Sequence, residues 1–297
     1  MKHLIRLFLI IFSSINLAFG QIDMTALEKP EQLGLSSDSL NKMDDYFHSL
    51  VDSDQLAGIQ TAIIKDGAVV HFDSYGFANI EEEVPLTKHS IFRIFSMTKP
   101  IVSVALMQLY EKGLINLEDP LYKYLPEFKE VYVHRDGATT LAKNPIKIID
   151  LLRHSSGYSY GNVDNEFLSQ AYADANLYVS QTNKEFIEKL AKVPLEFEPG
   201  TNWRYGLSTN ICGYLIEVLS GESLDAYLRN HIFKPLNMND THFQIPNSKI
   251  KNFTTGYAWN EAQGLHVVEQ AHQNRYVNEV SLFNGGGGLV STTIDYL

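Results

Sequence analysis

The sequence predicts an α+β fold, and three observations carry that prediction. Strand-like apolar segments come first and helical ones follow, the order expected of α+β rather than of alternating βαβ units. Ile59 to Ile64 and Val69 to Tyr75 read as two strands joined at Asp66-Gly67, a tight hairpin signal. From about Phe92 the apolar spacing turns helical. Of 297 residues, 44% are hydrophobic and 20% charged, with 16 Phe and 16 Tyr. That is enough large apolar surface to bury a core and too much for a disordered chain.

The first element is not part of the fold. Lys2, His3 and Arg6 precede an apolar run from Leu7 to Leu17, and Ala18-Phe19-Gly20 places small residues before Gln21. This is the pattern of a secretory signal peptide over residues 1–20. The run is too short to span a bilayer comfortably, and no later segment is apolar for long enough to cross one. The expectation is an exported protein, periplasmic or secreted, with no stable membrane insertion after cleavage. The formal charge of −11 argues against a nucleic-acid partner, which needs a basic face to displace counterions. Cys212, the only cysteine, sits in the apolar run Ile211 to Ile216 and reads as a small buried hydrophobe.

Ser36 and Ser37 before Asp38 read as a helix start, with Leu40, Met43, Phe47, Leu50 and Val51 at helical spacing. After the two strands, Ile101, Val102, Ala105, Leu106, Leu109 and Tyr110 form one helical stripe that ends at Gly113. The stretch from Leu125 to Pro145 reads as loop. Ile146 to His154, Asn183 to Val193, Ser208 to Leu219 and Ser223 to Ile232 read as helices, the third stopped by Gly221. Residues 256–280 are weakly patterned, and Gly285 to Gly288 is a four-glycine run. Residues 21–95 thus form a sheet part and 96–297 a mainly helical part.

The chemistry centres on Phe92 to Pro100. Ser96 and Lys99, three apart on a helix, share one face. At a helix start, free N–H groups and the positive dipole end favour an oxygen nucleophile. A lysine serves as its base only when uncharged, which requires desolvation, and Ile94, Phe95, Ile101 and Val102 supply apolar flanks. Ser-x-x-Lys occurs three times, at Ser39–Lys42, Ser96–Lys99 and Ser248–Lys251. Only the Ser96 copy opens a strongly apolar helix; the others fall on a polar helix face and in a polar loop. Tyr205, in the aromatic turn before the helix of Ser208 to Leu219, is either a packed core tyrosine or a second acid/base near Ser96.

Other constellations are weaker. Gly157-Tyr158-Ser159-Tyr160-Gly161 matches Gly-x-Ser-x-Gly, making Ser159 a rival nucleophile. A nucleophile elbow needs a strand before it and a helix after it, whereas a short helix and a polar loop flank this one. None of the ten histidines forms His-Glu-x-x-His, so no metal is expected. His154 closes a short helix and reads as a holder of loop backbone.

Five segments together carry a resemblance. Phe92 to Pro100, Leu117 to Pro126, Leu151 to Gly157, Pro199 to Tyr205 and Gly286 to Thr292 occur in that order. Over about residues 35–297 the chain resembles the serine β-lactamase-related family of class C β-lactamases, DD-peptidases and β-lactamase-type esterases. The resemblance implies an antiparallel sheet with helices plus an all-helical part, the cleft lying between them. It implies Ser96 as acylated nucleophile, Lys99 as proton acceptor and Tyr205 as second acid/base, with no cofactor and a small ester, amide or peptide as substrate. Two departures stand out. Two residues after the tyrosine, penicillin-active members carry Asn and this chain carries Leu207, which cannot make the same hydrogen bonds. The family's third motif lies on a strand well after the glycine-rich segment, so the sequence reads as lacking its last sheet strands. The expected function is an exported serine hydrolase, esterase or peptidase rather than β-lactamase. The alternatives are a non-catalytic binding or sensor protein of the same fold and an inactive fragment.

Overall fold

The computed structural model describes residues 27–297, so the expected signal peptide at 1–20 lies outside the described residues. Helix α1 (Ser37–Asp52) begins where Ser36 accepts a hydrogen bond from the Ser39 N–H, and it packs on the sheet that follows. Strands β1 (Gly58–Lys65) and β2 (Ala68–Asn79) pair antiparallel, from Gly58 opposite Gly76 to Lys65 opposite Ala68. Asp66 and Gly67 close the hairpin with φ of +50° and +79°, the geometry a type I′ turn demands. A short β3 (Val84–Pro85) extends the sheet in the order β1-β2-β3.

The chain then pairs β4 (Phe92–Arg93) and enters α2 (Thr98–Glu111), which stops at Lys112 ahead of left-handed Gly113. The stretch read as loop up to Pro145 contains a hairpin, β5 (Tyr132–Arg135) with β6 (Ala138–Leu141), turned at Asp136-Gly137. All four residues of β6 are exposed, so no alternation of apolar and polar residues marks it. Helices α3 (Ile148–Leu152), α4 (Glu166–Ala175) and α5 (Asn183–Leu190) follow. Of these, α4, capped by the Asn165 side chain, has no counterpart in the sequence reading.

Helix α6 (Ser208–Ser220) ends at left-handed Gly221, and α7 (Leu224–Leu228) runs on into a π turn over Arg229–Phe233. The weakly patterned residues 256–280 hold a second hairpin, β7 (Gly256–Asn260) with β8 (Gly264–Glu269), largely half-exposed on both faces. Last come β9 (Val290–Ser291), which pairs antiparallel with β4, and α8 (Thr293–Tyr296).

Two apolar clusters hold these elements. The larger forms where α2 packs on α6: Val102, Ala105 and Leu106 meet the layer containing Ile211, Cys212, Leu215 and Ile216, all fully buried. Each such Leu or Ile contributes about 1.5–3 kcal/mol relative to exposure. Burial also pushes the Cys212 thiol up to about 12, which leaves it a packing group, as its apolar surroundings predict. The smaller cluster, Ile91, Ile245, Phe253, Tyr276 and Val290, lies under the β4–β9 pair. That pair joins residues 197 and 199 positions apart, bringing the segment that leads into α2 beside the one that follows the glycine-rich run, and so builds the site. Among the described residues no helix is long and apolar enough to cross a membrane.

Candidate active site

Ser96 does not lie in the first α-helical turn, where its spacing from Lys99 placed it. It sits in a 3-10 turn, Phe95–Met97, that runs directly into α2 at Thr98. The turn is entered through Phe95 at φ +43°, a left-handed conformation unusual for a bulky residue. Three contacts fix the segment against the C-terminal elements. The Ile94 N–H donates to the Leu289 carbonyl (3.2 Å), the Leu289 N–H to Thr98 Oγ1 (3.1 Å), and the Tyr296 hydroxyl to the Met97 carbonyl (2.9 Å). The outcome is an exposed Ser96 beside a Lys99 that is only 8% exposed.

Lys99 Nζ reaches three oxygens. It lies 2.6 Å from the Gly286 carbonyl, 3.0 Å from Ser96 Oγ and 3.0 Å from Tyr160 Oη. The Gly286 carbonyl is delivered by the glycine-rich turn. Asn284 Oδ1 accepts from the Gly286 N–H (2.8 Å) and from Asn210 Nδ2 on α6 (2.8 Å). A side chain at Gly286 would collide with Asn210 Oδ1, so the turn needs glycine to come this close. Asn210, three residues beyond Leu207, thus holds the turn through its Nδ2.

Tyr205 closes the opposite side. Lys99 Nζ is 4.6 Å from the Tyr205 ring centroid and 5.6 Å from that of Tyr160, and the two rings are 5.7 Å apart. Burial pushes the Tyr205 phenol up, but the polar hydrogens of Lys99 and Ser96 and the Lys99 charge outweigh it, and the phenol ends below its ordinary value. Tyr160 goes the other way: burial raises its phenol more than Lys99 lowers it. His154 lies under Tyr205, ring centroids 5.0 Å apart. Its Nδ1 accepts from the Gly206 N–H (3.4 Å), and its carbonyl accepts from the Arg204 N–H (2.9 Å). Burial first, and then the Lys99 charge, lower the imidazole below its usual range, which keeps that ring nitrogen an acceptor.

The structure therefore brings Ser96, Lys99 and Tyr205 together and adds Tyr160, which the sequence did not single out. The segment Gly157 to Gly161 drew notice for Ser159, yet Ser159 is buried and its hydroxyl accepts from the Gly161 N–H (3.0 Å). It shapes the loop that presents its neighbour. In the other two Ser-x-x-Lys copies, Ser39, Lys42, Ser248 and Lys251 are all exposed. Leu207 is 1% exposed in the core and borders a cavity of about 430 Å³ that also touches Tyr160, Tyr172 and Tyr178. Among the described residues no group of three or more His, Cys, Asp or Glu is placed to hold a metal ion.

A family model described as Beta-lactamase matches residues 43–297. A putative D-alanyl-D-alanine carboxypeptidase of Escherichia coli (strain K12) is 30% identical over 233 residues, 75% of this chain and 51% of that protein. Esterase EstB of Burkholderia gladioli is 29% identical over 221 residues, 72% of this chain and 54% of that protein. Among solved structures, EstCE1, described as a hydrolase with promiscuous acyltransferase activity, superposes with a TM-score of 0.74 at 25% identity, covering 88% of this chain and 71% of its own. The chain spans between 51% and 64% of the length of the curated relatives it matches.

Proposed function

This chain belongs to the beta-lactamase family and has the fold of its hydrolases, and from that premise we propose that it is an exported serine hydrolase working through an acyl-enzyme. The observation that carries the reading is the exposed Ser96 hydroxyl 3.0 Å from the buried Lys99 amine, with the Tyr205 ring across from it. In this reading Ser96 Oγ attacks the acyl carbon of an ester or amide while Lys99 takes its proton. The backbone N–H of Ser96, in the turn that leads into α2, steadies the oxyanion. Tyr205, whose neutral phenol is a stronger acid than an ordinary tyrosine's, passes its proton to the leaving group. Water then attacks the Ser96 ester, and the same groups return the proton.

The similarity to proteins named carboxypeptidase and esterase supports an ester, amide or peptide substrate. Leu207, buried and apolar, offers no amide to a β-lactam side chain, which favours an esterase or peptidase over a β-lactamase. Export rests on the signal-peptide pattern of residues 1–20.

The test is labelling of the full chain with a fluorophosphonate probe, together with turnover of a small nitrophenyl ester. Both are expected to vanish in Ser96→Ala. Labelling that persists in Ser96→Ala and disappears in Ser159→Ala would move the nucleophile to the rival position.

A further inference from the structure

We propose that Tyr160 is a positioning residue for Lys99, its phenolic oxygen taking one amine hydrogen so that the lone pair faces Ser96. The inference rests on the serine-hydrolase reading and deepens it.

The case is one of counting hydrogens. Lys99 Nζ has three oxygen neighbours within 3.0 Å: the Gly286 carbonyl, Ser96 Oγ and Tyr160 Oη. An amine that can accept a proton carries two N–H bonds and one lone pair. The carbonyl can only accept, so it takes one N–H. Ser96 must donate into the lone pair if its proton is to leave. Of the three oxygens within 3.0 Å, the one left for the second N–H is that of Tyr160. If Tyr160 instead donates into the lone pair, Ser96 becomes an acceptor and keeps its proton, and the site is idle. Two hydroxyls compete for one lone pair, and the direction of the Tyr160 hydrogen bond decides which wins.

The same geometry serves the next step. As the Ser96 oxygen–carbon bond forms and the substrate C=O becomes C–O⁻, the Ser96 proton moves to Lys99 and completes an ammonium. Its three hydrogens meet the same three oxygens. Tyr160 accepts before and after the transfer, so no partner has to reorient during it, the condition for preorganised stabilisation. The phenol is suited to this task because it stays neutral: burial raises it, opposite to Tyr205 at the far side of the amine. Its ring is held against the Tyr205 ring, 5.7 Å between centroids, so removing the hydroxyl alone leaves the packing in place.

The experiment compares wild type, Tyr160→Phe and Ser96→Ala as full chains. The second-order rate of fluorophosphonate labelling reads acylation without hydrolysis, and ester turnover separates kcat from KM. Tyr160→Phe is expected to label at least tenfold more slowly and to lose kcat by a similar factor. KM should stay within about twofold, since a displaced base loses rate and not binding. Near-ultraviolet circular dichroism and Tm should match wild type. Labelling of Tyr160→Phe within twofold of wild type overturns the assignment, as does a loss confined to KM. Labelling that survives Ser96→Ala overturns Ser96 as the nucleophile on which the proposal rests, a result distinct from either.

Discussion

Asn210 and Asn284 meet side chain to side chain at 2.8 Å across 74 residues, and their bond decides where the Gly286 carbonyl stands. Asn284 Oδ1 also takes the Gly286 N–H, so one amide oxygen ties α6 to the turn that touches Lys99. Asn210 Oδ1, by contrast, is buried without a partner among the described residues.

Asn210→Ala is therefore expected to affect rate more than stability. It removes one hydrogen bond and one orphaned oxygen, a net change of about 1 kcal/mol or less in stability. The freed turn lets the Gly286 carbonyl drift from Lys99, and a small misplacement of this kind lowers rate by about tenfold or more. Labelling rate and Tm measured on the same preparation test it; a lower Tm at an unchanged labelling rate would count against the role of the pair.

Gly206→Ala is expected to be severe. A Cβ there would strike the Tyr158 carbonyl oxygen and lie 2.6 Å from Ser159 Cα, both backbone atoms that cannot swing aside. Overpacking of this sort costs about 1–3 kcal/mol or more, and the strain falls between Tyr205 and Leu207. A drop in Tm together with loss of ester turnover is the expected result. Tm equal to wild type would show that the two loops are looser than their packing implies.

Tyr205 should be separable by its ionisation. Its phenol lies below the ordinary tyrosine value, whereas Tyr124, Tyr158, Tyr172, Tyr178 and Tyr214 are all pushed up by burial. As pH rises, the tyrosinate absorbance should begin early in wild type, and Tyr205→Phe should remove that first component. The same early component should shrink in Lys99→Ala, because the amine that favours the phenolate is gone. An identical titration curve in Tyr205→Phe would refute the assignment.

Glu217 gives a pH signature in stability. Burial raises its carboxyl above 4.5 more than its bonds from the Leu224 N–H and Asn183 Nδ2 lower it. The folded chain thus holds the proton more tightly than the unfolded chain. Its contribution is full at pH below the unfolded value and lost as pH rises through the higher folded one. Glu217→Gln keeps an oxygen for both donors and removes the buried charge. The variant is expected to melt higher than wild type near neutral pH and to lose part of the decline in Tm on going up from about pH 4.5. A parallel pair of Tm–pH curves would rule this out.

What the sequence determined by itself is local. Ser36 starting α1, the Asp66-Gly67 hairpin, the stripe of α2 and the glycine stop of α6 follow from side-chain spacing within a few residues and from backbone preferences, which need no distant partner. The same is true of Ser96 facing Lys99, an i to i+3 relation that survives the change from an α to a 3-10 turn. The hairpins β5–β6 and β7–β8 carry no period-two burial pattern to read: β6 is exposed throughout, the two buried residues of β5 are adjacent, and β7 and β8 are largely half-exposed on both faces. Tertiary structure alone decided what surrounds Lys99. Tyr160 lies 61 positions away and Gly286 187; the glycine run marks a turn, but nothing local pairs either residue with Lys99, since contact across such distances is set by how α2, α6 and the β4–β9 pair pack. A pattern along the chain records which face a residue turns inward, and packing determines which partner it finds there.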